Sequence, residues 1–565
     1  MARQVSIGTQ DYASLIENNY FYIDKTQFIS DWWNSGDAVT LITRPRRFGK
    51  TLTMNMCNYF FSNKYAGRSD LFENLNIWKE EKFRKLQGTY PVIFLTFAGV
   101  KGKDYADTVK TIKISIAELV QDYDYLLESD KINDEEKQMF KKIKDDMDDI
   151  QAAMSLKILS KLLEKHFGKK VLIFLDEYDT PLQEAYIQGY WDEMTAFIRT
   201  MFNNTFKTNP SMERAIMTGI TRVSKESIFS DLNNLTVVIN TSDKYATDFG
   251  FTEDEVFAAI DEQGYTEDDK NEVKLWYDGF TFGKHTDIYN PWSITYFLDC
   301  GKYDTYWANT SGNGLVGHLI QNGDPDIKMD FEKLITGGCV EAPIDEQIIF
   351  NQLDTDRDAV WSLLLATGYL RCEHIIQDNP REVPIYRLVL TNFEVKRMFE
   401  KMVRNWFAKD RSFNEFVKAM FKCDLRGMNI YMNKVALNTF SYFDAGKKPS
   451  EENEPEKFYH GFVLGLLVDN AKNYVIKSNR ESGYGRYDVV LEPKNKNDVA
   501  VIIEFKVYDK EYDKENDLKD TAANAIVQIN ENQYAADLIA QGISEDKILK
   551  YGFAFHGKKC LIVAG

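Results

Sequence analysis

The chain has 565 residues, 44% hydrophobic and 14% aromatic, which is enough for several packed cores and too long for one. A formal charge of −18 argues against long-range steering onto nucleic acid, while leaving room for a local basic groove. No apolar run reaches the length of a membrane span, residues 1–6 lack the apolar core of a secretion signal, and the six cysteines form no CxxC pair. A cytoplasmic protein with reduced thiols and no membrane contact is expected, and a zinc ribbon or disulfide framework is not.

Residues 1–235 read as alternating strands and helices, an α/β nucleotide-binding layout. Strands are predicted over Val39–Thr43, Val92–Phe97, Val171–Leu175 and Ala215–Gly219. Each is a continuous apolar run, as a parallel sheet covered on both faces requires. A helix is predicted over Ser155–His166, where Leu156, Leu159, Leu162 and Leu163 recur at helical spacing.

The first strand runs into Arg44-Pro45-Arg46-Arg47-Phe48-Gly49-Lys50-Thr51. A loop ending Gly-Lys-Thr before a helix offers backbone N–H groups to phosphates, a lysine to the β/γ-phosphates and a hydroxyl to Mg²⁺. Arg44 stands where the usual pattern has its first glycine. It is expected to fold away from a triphosphate or meet it from outside, with Arg46 or Arg47 reaching phosphate or a partner surface. Arg46, Arg47, Phe48, Gly49, Lys50 and Thr51 are therefore candidate ATP contacts.

The third strand ends in Asp176-Glu177, at the sheet edge where ligands sit in open α/β folds. Asp176 is the candidate partner of Thr51 in holding Mg²⁺, and Glu177 the candidate catalytic group that orients water. After the fourth strand, Thr218 and Arg222 are candidates to sense γ-phosphate and to stabilise transition-state charge.

Residues 236–345 are expected to form a helical lid region. In 346–445, a helix over Ala359–Tyr369 precedes a hairpin, Glu373–Gln377 and Ile385–Thr391, turning at Asp378-Asn379-Pro380. That order is winged-helix-like, and a lid or protein contact is the favoured role over duplex binding. A further helical stretch covers Phe393–Phe443. The middle region is the candidate surface for homo-oligomer or protein contacts. Residues 446–455 are polar, charged and proline-flanked, a linker.

Residues 456–565 read as a second α/β unit. Glu504 and Lys506 are two apart on a strand and share one face, and Asp488 lies on the preceding strand. Two carboxylates to hold Mg²⁺ and a lysine beside the attacking water suit metal-dependent phosphodiester cleavage. Asp488, Glu504 and Lys506 are the candidate catalytic residues. Gln528 and Tyr534, on a later helix, are expected to approach the scissile phosphate.

Tyr22-Ile23-Asp24-Lys25-Thr26, the Arg44–Thr51 loop, Leu175-Asp176-Glu177-Tyr178-Asp179-Thr180-Pro181 and Tyr289-Asn290-Pro291-Trp292-Ser293 together resemble the AAA-ATPase-like family of bacterial proteins. The resemblance covers essentially the whole chain. It implies an AAA/STAND-type P-loop NTPase domain at 1–235 and a restriction-endonuclease-like domain of the PD-(D/E)xK type at 456–565. By the same resemblance the arginine-rich loop is a family trait, and Glu456 on a first helix completes the metal site. His460 follows Glu456 at i+4 and is expected to cap or pack. The expected function is ATP-regulated, Mg²⁺-dependent cleavage of nucleic acid, DNA or RNA. Two rivals are a nucleotide-gated scaffold with an inactive nuclease fold, and an ATPase whose last domain binds nucleic acid without cutting.

Overall fold

The computed structural model describes residues 2–222, 228–229, 232–308, 310, 316–317, 319–320, 325–335, 337–345, 353, 356–377, 383–408, 413–439, 473–482, 485–508, 517–556 and 559–565. The chain divides into two compact units, one of residues 1–319 with 337–396 and the other of 320–336 with 397–565. No helix among the described residues is long and apolar enough to cross a membrane.

The first unit is built on a five-stranded sheet of β1 (Val39–Thr43), β2 (Val92–Thr96), β3 (Val171–Asp176), β4 (Met212–Gly219) and β5 (Leu235–Val238). Its order is β2-β3-β4-β1-β5, and every neighbouring pair is parallel. The apolar runs are continuous because both faces are covered. Leu41, Ile173, Leu175 and Met217 pack into one core, and Ile42, Leu172, Phe174 and Ile216 into the other. The helix after β1 is Lys50–Phe61, and the predicted leucine-rich helix extends over Asp149–Phe167. That longer helix begins at a reciprocal capping box between Asp148 and Gln151 and stops at Gly168.

Beyond the main sheet, β6 (Phe251–Thr252), β7 (Phe280–Phe282) and β8 (His285–Tyr289) form a small antiparallel sheet, followed by the helix Pro291–Cys300. The expected helix-then-hairpin is present as the helix Arg357–Ala366 followed by antiparallel β10 (Leu370–Ile376) and β11 (Ile385–Leu390). A third strand, β9 (Val340–Pro343), precedes that helix and pairs with β11, giving a three-stranded sheet beyond the expected two-stranded wing. The expected turn at Asp378-Asn379-Pro380 lies outside the described residues.

The second unit holds a mixed sheet of β12 (Tyr474–Ser482), β13 (Gly485–Pro493), β14 (Ala500–Val507), β15 (Ile548–His556) and β16 (Lys559–Ala564) in sequential order. Only β14 and β15 are parallel, and the helix Leu518–Glu531 crosses between them. Val501, Ile503 and Phe505 of β14 pack on Phe416, Met420, Met428 and Met432 from the helices Phe413–Phe421 and Leu425–Thr439. Ala500 and Ile502 face the opposite way, onto Ile529, Tyr534 and Leu538.

Two asparagines finish the sheet edge. Asn429 donates to Ile562 O at 2.9 Å and accepts from Ile562 N at 2.8 Å. Asn433, one turn on, donates to Cys560 O at 2.7 Å and accepts from Cys560 N at 3.0 Å. The two amides thus occupy edge positions that another strand would take. In an Asn429→Ala, Asn433→Ala double variant, the amides of Cys560 and Ile562 should exchange with deuterium roughly 3- to 10-fold faster, the size of one net hydrogen bond. Unchanged exchange there would mean that the asparagines do not hold this edge.

Candidate functional site

The loop after β1 opens onto a cavity of about 620 Å³ whose lining includes Arg46, Arg47, Gly49, Lys50, Thr51 and Glu177. That volume suits a small-molecule ligand. Gly49 enters the helix at φ +77°, a left-handed conformation that a side chain would strain, so the backbone can swing its N–H groups toward the cavity.

Asp176, at the end of β3, is met by the end of β4 and by the first turn of the helix after β1. Its carboxylate is fully buried. Oδ2 accepts from Thr51 Oγ1 at 2.7 Å and Oδ1 from Thr218 Oγ1 at 2.5 Å. Thr218 is therefore tied to the acid and absent from the cavity lining. Glu177 turns off the strand at φ +52° and reaches the cavity. Burial, and next the neighbouring Asp176, push its carboxyl above the ordinary range. Lys50 Nζ donates to the carbonyl oxygens of Arg44 at 2.8 Å and Pro45 at 2.7 Å. Burial draws the Lys50 ammonium down to about 8, against the pull of Glu177 and Asp176.

The three loop arginines go three ways. Arg44 is fully buried and folded away from the cavity. Its guanidinium donates to the carbonyls of Thr43, Ile239, Lys244 and Tyr245 and lies 4.4 Å from the centre of the Phe282 ring. Burial lowers it to about 9. Arg46 lines the cavity, with Nη2 3.5 Å from Gln183 Oε1. Arg47 also lines it, at φ +64°, with its guanidinium 4.2 Å from the centre of the Trp292 ring. Phe48 packs against Phe280 and Phe282. Arg222 does not reach this cavity; it lines a small separate cleft with Thr43, Asn240 and Asp345.

In the second unit, Val489 pairs with Ile503, so Asp488 stands one step further along β13, beside Glu504. Asp488 Oδ2 accepts from Phe505 N at 2.7 Å. Glu504 and Lys506 do share a face, and Lys506 Nζ is 3.7 Å from Glu504 Oε1. Glu504 itself is buried, because the helix Leu518–Glu531 covers that face. At Gly552, the β15 partner of Glu504, an added Cβ would lie 2.3 Å from Ala522 O, so glycine allows this close approach. Gln528 consequently donates directly to Glu504 Oε1 and, at 3.1 Å, to the Tyr534 hydroxyl. Gln528 thus supports the acid, and Tyr534 in turn holds Gln528. Glu456 and His460 lie outside the described residues.

Residues 6–229 match the family described as predicted AAA-ATPase, and residues 454–565 match the PD-(D/E)XK nuclease superfamily. The chain carries an AAA-ATPase-like domain and a PD-(D/E)XK nuclease domain. It is also similar to an uncharacterized protein in the vnfD 5′ region of Azotobacter chroococcum mcd 1. The two are 23% identical over 552 residues, covering 96% of this chain and 94% of that protein.

Several residues around the AAA-ATPase-like site carry a geometry that sequence reasoning gave no role. Asp179 Oδ2 accepts from Ile220 N, Thr221 N and Thr221 Oγ1, each at 3.0 Å, and from Gln183 Nε2 at 2.8 Å. It thereby fixes the chain leaving β4. In the Tyr22–Thr26 segment, Asp24 accepts from Thr26 and Asn76, while Lys25 pairs with Glu255 at 2.7 Å. Ser293 Oγ donates to Glu394 at 2.8 Å, and Ala308 N donates to the same carboxylate at 3.2 Å. The only available signal was their place in short motifs.

Glu394 is fully buried, and burial pushes its carboxyl up to about 7. The unfolded chain releases this proton near the ordinary 4.5, while the folded chain holds it until about 7. Folding takes up a proton in that window, so this group's contribution to stability declines as pH rises through it. Glu394→Gln should flatten that decline in denaturant titrations; an unchanged slope would place the titration elsewhere.

Proposed function

We propose that the first unit binds Mg·ATP and that the second is a divalent-metal nuclease whose cutting depends on the nucleotide held by the first. The observation that carries the nucleotide reading is the meeting of Lys50, Thr51 and Glu177 at one cavity, with buried Asp176 bonded to Thr51. Thr51 and Asp176 form the donor set for Mg²⁺, an oxygen pair suited to a hard cation. Bound there, the ion would neutralise phosphate charge. Lys50 exchanges its two carbonyl partners for phosphate oxygens. Glu177, its carboxyl poised high, accepts a hydrogen bond from water and draws its proton. Arg46, which lines the cavity, is the proposed partner of developing charge. These contacts make hydrolysis the favoured outcome of binding.

For the second unit, Asp488 and Glu504 supply the carboxylates and Lys506 the positive charge beside the attacking water, on nucleic acid of either sugar type. Glu456 is the proposed further ligand. The alternative, an inactive scaffold, is favoured by one observation: Glu504 is buried and already engaged by Gln528 and Lys506.

By calorimetry, Lys50→Ala should weaken Mg·ATP binding roughly 10- to 100-fold, the worth of one charge-assisted hydrogen bond of about 1.5–3 kcal/mol. Glu177→Gln should keep the affinity and lower turnover about 100-fold or more, the range for a general base. Unaltered affinity in the first variant removes the site. Wild type that binds without turnover is a switch and not an ATPase.

Cleavage is tested with single- and double-stranded DNA and RNA, Mg²⁺ or Mn²⁺, with and without ATP. Asp488→Ala and Glu504→Ala should each abolish cutting while the circular dichroism spectrum stays native, and Lys506→Ala should slow cutting and keep metal binding. If the wild type cuts nothing, the scaffold reading stands. If Glu504→Ala cuts as well as the wild type, the chemistry lies elsewhere.

A further inference from the structure

The loop that lacks its first glycine is fastened by a segment far along the chain. Asn290 is fully buried between β8 and the helix Pro291–Cys300. Its side chain works in two directions. Oδ1 accepts from Trp292 N at 2.9 Å and caps the helix, while Nδ2 donates to Arg46 O at 3.2 Å. The next loop residue, Arg47, is held in a left-handed conformation that a non-glycine residue seldom adopts, and its guanidinium lies over the Trp292 ring. Trp292 and Arg47 both line the cavity. One short segment therefore grips two successive loop residues, one by its backbone and the other by its side chain.

We propose that Asn290 and Trp292 are positioning residues of the nucleotide site: Asn290 fixes the Arg46 carbonyl and Trp292 fixes Arg47, which together hold the loop amides in a phosphate-binding arrangement. This rests on the nucleotide reading above. A P-loop with its usual first glycine relies on local turn geometry to bring its N–H groups together. Here Arg44 is committed to the interior, and the stretch from Arg46 to Gly49 is shaped by an external clamp. Arg47 then faces the cavity with its charge retained, because a ring face attracts the guanidinium without neutralising it.

Asn290→Asp separates this role from a merely structural one. The aspartate still accepts from Trp292 N, so the helix cap survives. When ionised it has no donor for Arg46 O and sets two acceptors against each other. Mg·ATP affinity, measured by calorimetry on the full chain, should fall roughly 10-fold or more, the effect of a lost buried hydrogen bond with its acceptor left unmet. Melting temperature should fall as well, because an ionised carboxylate is buried beside a carbonyl, so affinity is measured well below the variant's melting temperature. Protonating the new carboxyl restores a donor, so the deficit relative to wild type at the same pH should shrink between about pH 8 and about pH 5, burial having raised that group's range. Trp292→Leu should also weaken binding, with no such recovery.

Wild-type affinity in Asn290→Asp, with the wild type itself binding, overturns the Asn290 assignment and leaves the nucleotide reading intact. A deficit that does not shrink toward acid pH overturns it as well, because a general loss of packing would not titrate. Wild-type affinity in Trp292→Leu overturns the platform assignment. If the wild type binds no nucleotide, the reading above fails, and the clamp is judged by hydrogen–deuterium exchange of residues 45–51. Faster exchange in Asn290→Asp sustains the clamp, and equal exchange overturns it.

Discussion

A carboxylate with no solvent exposure organises the first unit. An isolated buried charge of this kind is strongly unfavourable, so Asp176 requires a polar partner on each oxygen. It has them only because β4 lies between β1 and β3 in the sheet. That order brings Thr218 up on one side and Thr51, from the helix after β1, on the other. Tyr178 and Asp179 follow from the same point. Tyr178 N bonds to Thr218 O, and Asp179 ties down the chain as it leaves β4. Disturbing Asp176 therefore disturbs two strand ends and a helix start at once, which couples the proposed metal-binding chemistry to the integrity of the sheet.

Around that anchor, two strained residues stand at the cavity rim. Arg47 and Glu177 are non-glycine residues with positive φ, and both line the cavity. Such conformations persist where their surroundings over-determine them. For Arg47 the surroundings are the Trp292 ring and the buried Phe48 beside it. Arg44 supplies a further constraint by donating to carbonyls of Ile239, Lys244 and Tyr245.

The parts legible in the sequence were those governed by local pattern. β1 carries the bounds expected from its apolar run, and β3 runs only one residue longer. β4 begins earlier than expected: Glu213 and Arg214 interrupt the apolar run, yet the strand continues through them with a shift of register against β3, and Arg214 lies along the Trp33 ring. The helix ending at Phe167 begins before its leucine repeat, at a capping box that the repeat alone does not reveal. Contacts spanning hundreds of residues left no comparable trace. Asn290 meets the Arg46 carbonyl across 244 positions, and nothing in the local sequence singles out that pairing. Likewise, the spacing of Glu504 and Lys506 gave their common face, while the burial of Glu504 depends on Gly552 admitting a helix from elsewhere.

The segment matching the nuclease superfamily begins at residue 454, but part of what covers its sheet begins earlier. Met420, Met428 and Met432 shield one face, and Asn429 and Asn433 complete the β16 edge, all from helices that precede the match. The stretch recognisable by descent is therefore smaller than the compact unit that packs around its sheet. Transplanted by gene fusion at the family boundary, it would carry a bare apolar sheet face, with Val501, Ile503 and Phe505 uncovered, and an open strand edge, both invitations to aggregate. Portability of this domain between proteins would thus depend on whether the upstream helices travel with it.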